Sequence, residues 1–214
     1  MRANRRADPT AGFSVLDIYR NHERLTERDS LHRQYGYNSD EALAFVLTQA
    51  APLSGRILEI GSGKGRLLTA LLRRGYRITT VDVDSGEQRF ARLNVAYECL
   101  SDRVQFVQAD ATCLPFMDEC FDTVVSMNAL HHFTDWRALL REVFRVVETG
   151  GKLVLSDLDE TGFEAFDRLH RDEGRVHARC HYEVDQIADE ISRQAWQVRI
   201  ARGHCQWILT ALLS

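Results

Sequence analysis

Short apolar runs alternating with helix-spaced segments set the strongest limit on what this chain can fold into. Residues 56–60, RITTVDV, VQFVQA, FDTVVSM and GKLVLSD read as strands. Before and between them, SDEALAFVLTQA, GRLLTALLRRG, GEQRFARLNVAYECL and WRALLREVFRVVE carry apolar residues at three- and four-residue spacing, as helices do. Ser39 is the expected N-cap of the first of these helices, Gly75 closes the second, and Thr134 or Asp135 caps the last. Apolar strands separated by helices require parallel pairing with both faces of the sheet covered, because each parallel step needs a crossover. The fold class is α/β, doubly wound and mostly parallel. Near the end, WQVRIAR and QWILTALL are separated by the turn residues Gly203 and His204, which predicts an antiparallel terminal hairpin.

Outside this alternation, residues 1–38 divide into a basic tail and a charged segment with helical spacing, suited to a flap. Residues 39–214 form the main domain, with the polar stretch 158–195 as an insertion suited to capping a substrate. Twenty-seven Lys and Arg against 31 Asp and Glu give a net charge of -4, so no basic footprint argues for nucleic acid or an anionic membrane, and a small-molecule partner is expected. The five cysteines form no CxxC pair and read as reduced thiols. With no apolar signal region and no run of 18 apolar residues, the chain reads as cytoplasmic.

The stretch ILEIGSGKG, residues 57–65, places Gly61, Gly63 and Gly65 at the exit of the first strand. Ligands of open parallel sheets bind beyond the carboxyl ends of the strands, where glycine lets backbone approach closely. The P-loop pattern is not met, since neither its spacing nor its hydroxyl residue is present, and Arg66 stands where a dinucleotide fingerprint needs its third glycine. Glu59 would repel a pyrophosphate but attract an amino group or a sulfonium. Asp82 ends the second strand, where a carboxylate can accept from both hydroxyls of a ribose, and Asp110 follows the third, where it can accept from an adenine amino group. Each also suits an ordinary strand-end turn.

ILEIGSGKG, VDVD, QADATCLPFMDECFDTVVSMNALHHF and LLREVFRVVETGGKLVLSD follow one another over residues 39–157 in an order that resembles the class I S-adenosylmethionine-dependent methyltransferases, in particular their UbiE/Coq5-like small-molecule group. The resemblance implies a Rossmann-like, seven-stranded sheet with an antiparallel last strand. It also implies S-adenosylmethionine as cofactor, with Glu59, Gly61, Ser62, Gly63 and Gly65 around the methionine part, Asp82 and Val83 at the ribose, Asp110 and Ala111 at the adenine, and Met127 and Asn128 at the methionine end. Lys64 and Arg66 put cations beside the loop, either for the cofactor carboxylate or facing solvent. The segments before residue 39 and after 157 would determine the acceptor.

Methyl transfer from a sulfonium is an in-line displacement, so a base matters only when the nucleophile starts protonated. His132, in NALHHF, is the candidate base; both His131 and His132 also suit a structural network. If 169–183 were helical, His177, Cys180 and His181 would share one face, as metal ligands or as the lining of a substrate pocket, and the second of these is expected. Two other readings stay open from the residues: a nucleotide-cofactor oxidoreductase, and a noncatalytic S-adenosylmethionine-binding regulatory module.

Overall fold

The structure, a computed structural model, describes residues 12–177, 179–194 and 196–213. The basic tail lies almost wholly outside the described residues. Two helices come first, α1 (Val15–Gln34) and α2 (Ser39–Ala50). The alternation follows as β1 (Ile57–Ile60), α3 (Arg66–Arg73), β2 (Ile78–Asp82), α4 (Ser85–Tyr97), β3 (Val104–Gln108), β4 (Phe121–Met127), α5 (Trp136–Val146) and β5 (Val147–Leu158). The chain continues through α6 (Glu160–Asp172) and α7 (Val184–Ser192) to β6 (Trp196–Gly203) and β7 (Gln206–Leu213). Among the described residues no helix is long and apolar enough to cross a membrane.

The seven strands form one sheet in the order β3-β2-β1-β4-β5-β7-β6. β1 to β5 pair in parallel, and β7 lies antiparallel to both β5 and β6. All four residues of β1 are buried, as a central strand between two helical layers requires. Two apolar clusters cover the faces. One holds Leu139, Leu140 and Val143 of α5 together with Ile187 and Ile191 of α7; the other holds Leu68, Leu71 and Leu72 of α3 together with Val46 of α2 and Ala165 of α6. The stretch 158–195 therefore contributes helices to opposite faces of the sheet.

Two local expectations change, and one pair of alternatives is resolved. Asn38, not Ser39, caps α2: its side-chain oxygen accepts from Asp40 N (3.2 Å) and Glu41 N (3.4 Å), while Ser39 is the first helical residue and is buried. The hairpin turn is His204-Cys205, both at positive φ (53° and 62°), because pairing of β6 with β7 continues to Gly203 opposite Gln206. Gly203 has a packing reason instead, since a Cβ there would come within 3.2 Å of the Phe45 ring. Asp135 rather than Thr134 caps α5, accepting from Ala138 N at 2.9 Å.

The N-terminal helix is docked. Ser14 and Asp17 cap it reciprocally. From its buried face the Asn21 amide donates to Asn94 Oδ1 of α4 at 2.7 Å, and Asp29 pairs with Arg66. Tyr37, between α1 and α2, is buried; its hydroxyl accepts from Asn128 Nδ2 (3.1 Å) and Gln206 Nε2 (3.0 Å), and burial pushes the phenol up to about 12.

Candidate functional site

The strand order reverses between β1 and β4, and there the loop Gly61–Gly65 carries the chain from β1 into α3. Gly61 N and Ser62 N donate to Val81 O of β2 at 2.9 and 3.2 Å, so the turn is anchored to the neighbouring strand. The three glycines answer to different constraints. At Gly61 a Cβ would collide with that of Ala129 at 2.5 Å. Gly63, at φ +45, has open space where a Cβ would stand. Gly65, at φ +78, lies against Ala91 of α4, where a Cβ would approach at 3.0 Å. As N-cap, Gly65 offers no side-chain acceptor, so the first amides of α3 are not capped by a side chain.

Above the loop lies a cavity of about 800 Å³ lined by residues from the ends of β1, β2, β3 and β4. Glu59, Gly61, Ser62, Gly63, Asp82, Val83, Asp110, Ala111, Met127, Asn128 and His132 all line it. Gly65 does not, because it faces α4. Sequence reasoning did not single out Asp84, Thr112, Phe133 or Ala138, and gave Asp135 only as a helix cap; all line the cavity, and most follow strands in loops whose path periodicity does not report.

Asp82 organises the mouth. One carboxylate oxygen accepts from Gly63 N at 2.8 Å, with the Ser62 hydroxyl at 3.4 Å, and the other accepts from Asp84 N at 2.9 Å. Asp84 in turn caps α4 through Gly86 N (2.7 Å) and Glu87 N (3.1 Å). Asp110 accepts from the backbone and hydroxyl of Thr112 at 2.8 and 2.7 Å, and these bonds, the backbone one foremost, hold its carboxyl below the usual range. Val83 is 68% exposed, an apolar surface left open on the cavity wall. Asn128 sits in left-handed backbone (φ 55); with its amide nitrogen bound to Tyr37, its buried Oδ1 has no partner among the described residues.

Glu59 departs from the open negative charge expected of it. It is 1% exposed, and its carboxyl accepts from the Thr80 hydroxyl at 2.6 Å beneath the loop. Burial outweighs that bond and one from Leu68 N and pushes the carboxyl up to about 8. The side chain is mostly neutral at pH 7.

His132 lines the edge of the cavity in a single 3-10 turn, Leu130–His132, after β4. Burial, and next the charge of His131, lower its pKa, so the imidazole is neutral at pH 7 and can accept a proton. His131 is inside the fold. Its backbone N–H and its Nδ1 reach the two carboxylate oxygens of Asp157 at 2.8 and 2.7 Å, and Asp157, in β5, is fully buried. Nothing in the sequence pairs these residues; they meet because β5 runs beside β4. Asp157→Asn should lower stability by about 2 kcal/mol, since an amide can satisfy only one of the two acceptor positions, and a thermal melt against the unsubstituted chain measures it.

The helical face expected for His177, Cys180 and His181 is absent. Residues 175–177 and 179–183 are irregular, so the spacing has no common face. The His177 side chain is buried, with Nδ1 3.2 Å from Asp167, while that of His181 is 87% exposed. Cys180 N donates to His131 O at 2.7 Å, which ties this segment to the turn carrying His132. Among the described residues no group of three or more His, Cys, Asp or Glu is arranged to hold a metal ion.

A glycine loop at the strand-order reversal, with strand-end carboxylates and few cations, defines an α/β protein with a ligand cavity beyond the carboxyl ends of its strands. Residues 58–155 match the family described as methyltransferase domain. The chain is 36% identical over 121 residues to a demethylmenaquinone methyltransferase of Clavibacter sepedonicus, covering 56% of this chain and 48% of that protein. It is 32% identical over 148 residues to the demethylmenaquinone methyltransferase of Thermus thermophilus, covering 67% and 66%. The crystal structure of the glycopeptide N-methyltransferase MtfA complexed with S-adenosylmethionine shares the fold, with a TM-score of 0.66 at 20% identity over 81% of this chain and 93% of that one. Residues 58–155 are thus a methyltransferase domain, similar to those of class I S-adenosylmethionine-dependent methyltransferases of the UbiE-like group. It spans about half the length of the curated relatives it matches. The match over residues 58–155 does not favour the oxidoreductase reading.

Proposed function

We propose that this chain binds S-adenosylmethionine in the cavity above Gly61–Gly65 and transfers its methyl group to a small-molecule acceptor. The observation that carries the reading is the meeting of Glu59, Asp82 and Asp110, from three neighbouring strands, in one cavity with the glycine loop. Three carboxyl groups there suit a ligand with an amino group, a ribose and an adenine, and they disfavour one with phosphates. Asp82 and Val83 face the ribose, Asp110 and Ala111 the adenine, and Glu59, Ser62, Met127 and Asn128 the methionine end. Gly61 and Gly63 keep the wall free of side chains, and Gly65 shapes the loop from behind.

S-adenosylmethionine supplies a sulfonium methyl, an electrophile that needs no activation by the protein. The chain's own task is to bind the acceptor in line with that group and to keep water out. His132 stands at the cavity edge with a neutral imidazole and takes the proton from an acceptor that starts as an acid. Asp157, through His131, holds the turn on which His132 sits. The choice of acceptor is assigned to the segments before residue 39 and after 157, and the five free cysteines suit a cytoplasmic setting. The relatives named for demethylmenaquinone and for 27-O-demethylrifamycin SV make small molecules the acceptor class to test.

Calorimetric titration with S-adenosylhomocysteine and, separately, with NAD tests the cofactor. Binding of the first and not the second is expected, and the reverse would refute the proposal. Transfer of labelled methyl into a panel of phenols, thiols, amines and carbon acids identifies the acceptor class.

A further inference from the structure

The ring of His177 is enclosed by five others. Its centroid lies 5.0 Å from that of His170, 5.2 Å from His131, 5.7 Å from Phe166, 5.9 Å from Phe163 and 6.5 Å from His132. The walls of this box stand on fixed elements. Phe163, Phe166 and His170 are spaced i, i+3 and i+7 along α6, and His131 and His132 belong to the turn after β4 that the buried Asp157 holds. His132 also lines the cavity above the glycine loop, so box and cavity adjoin at its imidazole.

The occupant is held more loosely than the walls. Its segment is irregular, and nearby Val176 and His181 stand in solvent. Between Arg175 and Tyr182, the one backbone hydrogen bond among the described residues runs from Cys180 N to His131 O at 2.7 Å. The side-chain ties go to the partly exposed Asp167, 3.2 Å from His177 Nδ1 and 3.4 Å from the Arg179 guanidinium, and contacts of that kind hold little. His177 also leaves the box incompletely satisfied. His170 Nδ1 is buried and has no hydrogen-bond partner among the described residues.

We propose that His177 is an internal plug in the subsite for the ring of the methyl acceptor, and that the segment carrying it lifts to admit a planar unsaturated ring with a polar substituent. The inference rests on the methyl-transfer reading above. His177 is then an occupant of the acceptor site and not part of its wall. A planar ring packs against Phe163 and Phe166 where the imidazole does now, and a hydroxyl can donate to or accept from His170 Nδ1. It lies next to His132, at the edge of the cavity that takes the sulfonium. While the plug is in place, affinity for the acceptor is reduced by the fraction of chains that are open.

Phenol is the probe, and cyclohexanol, of similar size without the flat ring, is its control. The amide of Cys180 is protected by its bond to His131 O, so in the unsubstituted chain saturating phenol should speed its hydrogen exchange about tenfold, with the amides of β4 unchanged and cyclohexanol without effect. His177→Ala should bind phenol about tenfold more tightly, because an occupant that fills the box about nine-tenths of the time is gone. His177→Phe, whose ring is the better apolar occupant, should bind phenol more weakly than the unsubstituted chain, and it decides the matter with the exchange measurement if the alanine variant does not fold. Phenol binding confined to His177→Ala, with exchange at Cys180 unmoved in the unsubstituted chain, makes His177 an ordinary packing residue and overturns the proposal. Phenol that competes with S-adenosylhomocysteine sits in the cofactor cavity and overturns it as well. Failure of the unsubstituted chain to bind S-adenosylhomocysteine overturns the cofactor reading instead, and leaves the phenol measurements to decide on the plug.

Discussion

Glu59→Gln should make the ligand-free protein more stable at about pH 8 while changing little near pH 4.5. The carboxyl is pushed by burial from 4.5 to about 8 in the folded chain. Between those values the folded state keeps a proton that the unfolded chain releases, so rising pH favours unfolding. The stability associated with this group is fully present below pH 4.5, declines through the window and is gone above pH 8. The slope is about 1.4 kcal/mol per pH unit, which gives a cumulative loss of roughly 3–5 kcal/mol. Glutamine has the shape of the neutral acid and no proton to lose. Denaturant midpoints of both proteins at about pH 5 and pH 8 provide the measurement; a difference that does not grow with pH would mean that Glu59 is already ionised in the fold. The same linkage acts on binding. A cationic ligand beside Glu59 draws its proton off, so titrations below pH 8 in buffers of different ionisation enthalpy should show proton release.

Asp82→Ala should weaken S-adenosylhomocysteine binding about 100-fold, or ~2.7 kcal/mol. The loss has two sources. The carboxylate would no longer accept from the ligand's hydroxyls, and Gly63 N and Asp84 N would lose the acceptor that shapes the mouth of the site. Asp82→Asn keeps one acceptor oxygen and should fall between the two. A melting temperature measured on each variant separates loss of the ligand contact from loss of fold. Unchanged affinity in the alanine variant would remove Asp82 from the binding site.

Strand and helix positions were legible because apolar periodicity is local. FDTVVSM is a strand over the span read from it, and GRLLTALLRRG becomes α3 with Gly75 just beyond its end at φ +91. β5 begins at Val147, earlier than GKLVLSD suggests, since Val147 pairs with Phe121 before a register shift. That pairing joins residues distant in the chain, and no local pattern reports it. The same distinction divides the site. The positions of Glu59, Asp82 and Asp110, within two residues of the ends of β1, β2 and β3, followed from where the apolar runs stop. The helical face drawn through His177, Cys180 and His181 failed because spacing has meaning only where the backbone is helical, and residues around Gly174 are not.

From the sequence alone came the α/β class, the glycine turn and the cluster of carboxylates, because each depends on residue type and on separations of a few positions. Only the tertiary structure decided what those groups experience. It placed Glu59 beneath the loop, where loss of water makes it a weak acid. It turned Gly65 toward α4 and away from the cavity. It joined His131 to Asp157 across two neighbouring strands and neutralised Arg66 with Asp29 while leaving Lys64 at the mouth. Burial and partnership are set by segments far apart in the chain, and those two quantities determine whether a charged side chain is available to a ligand.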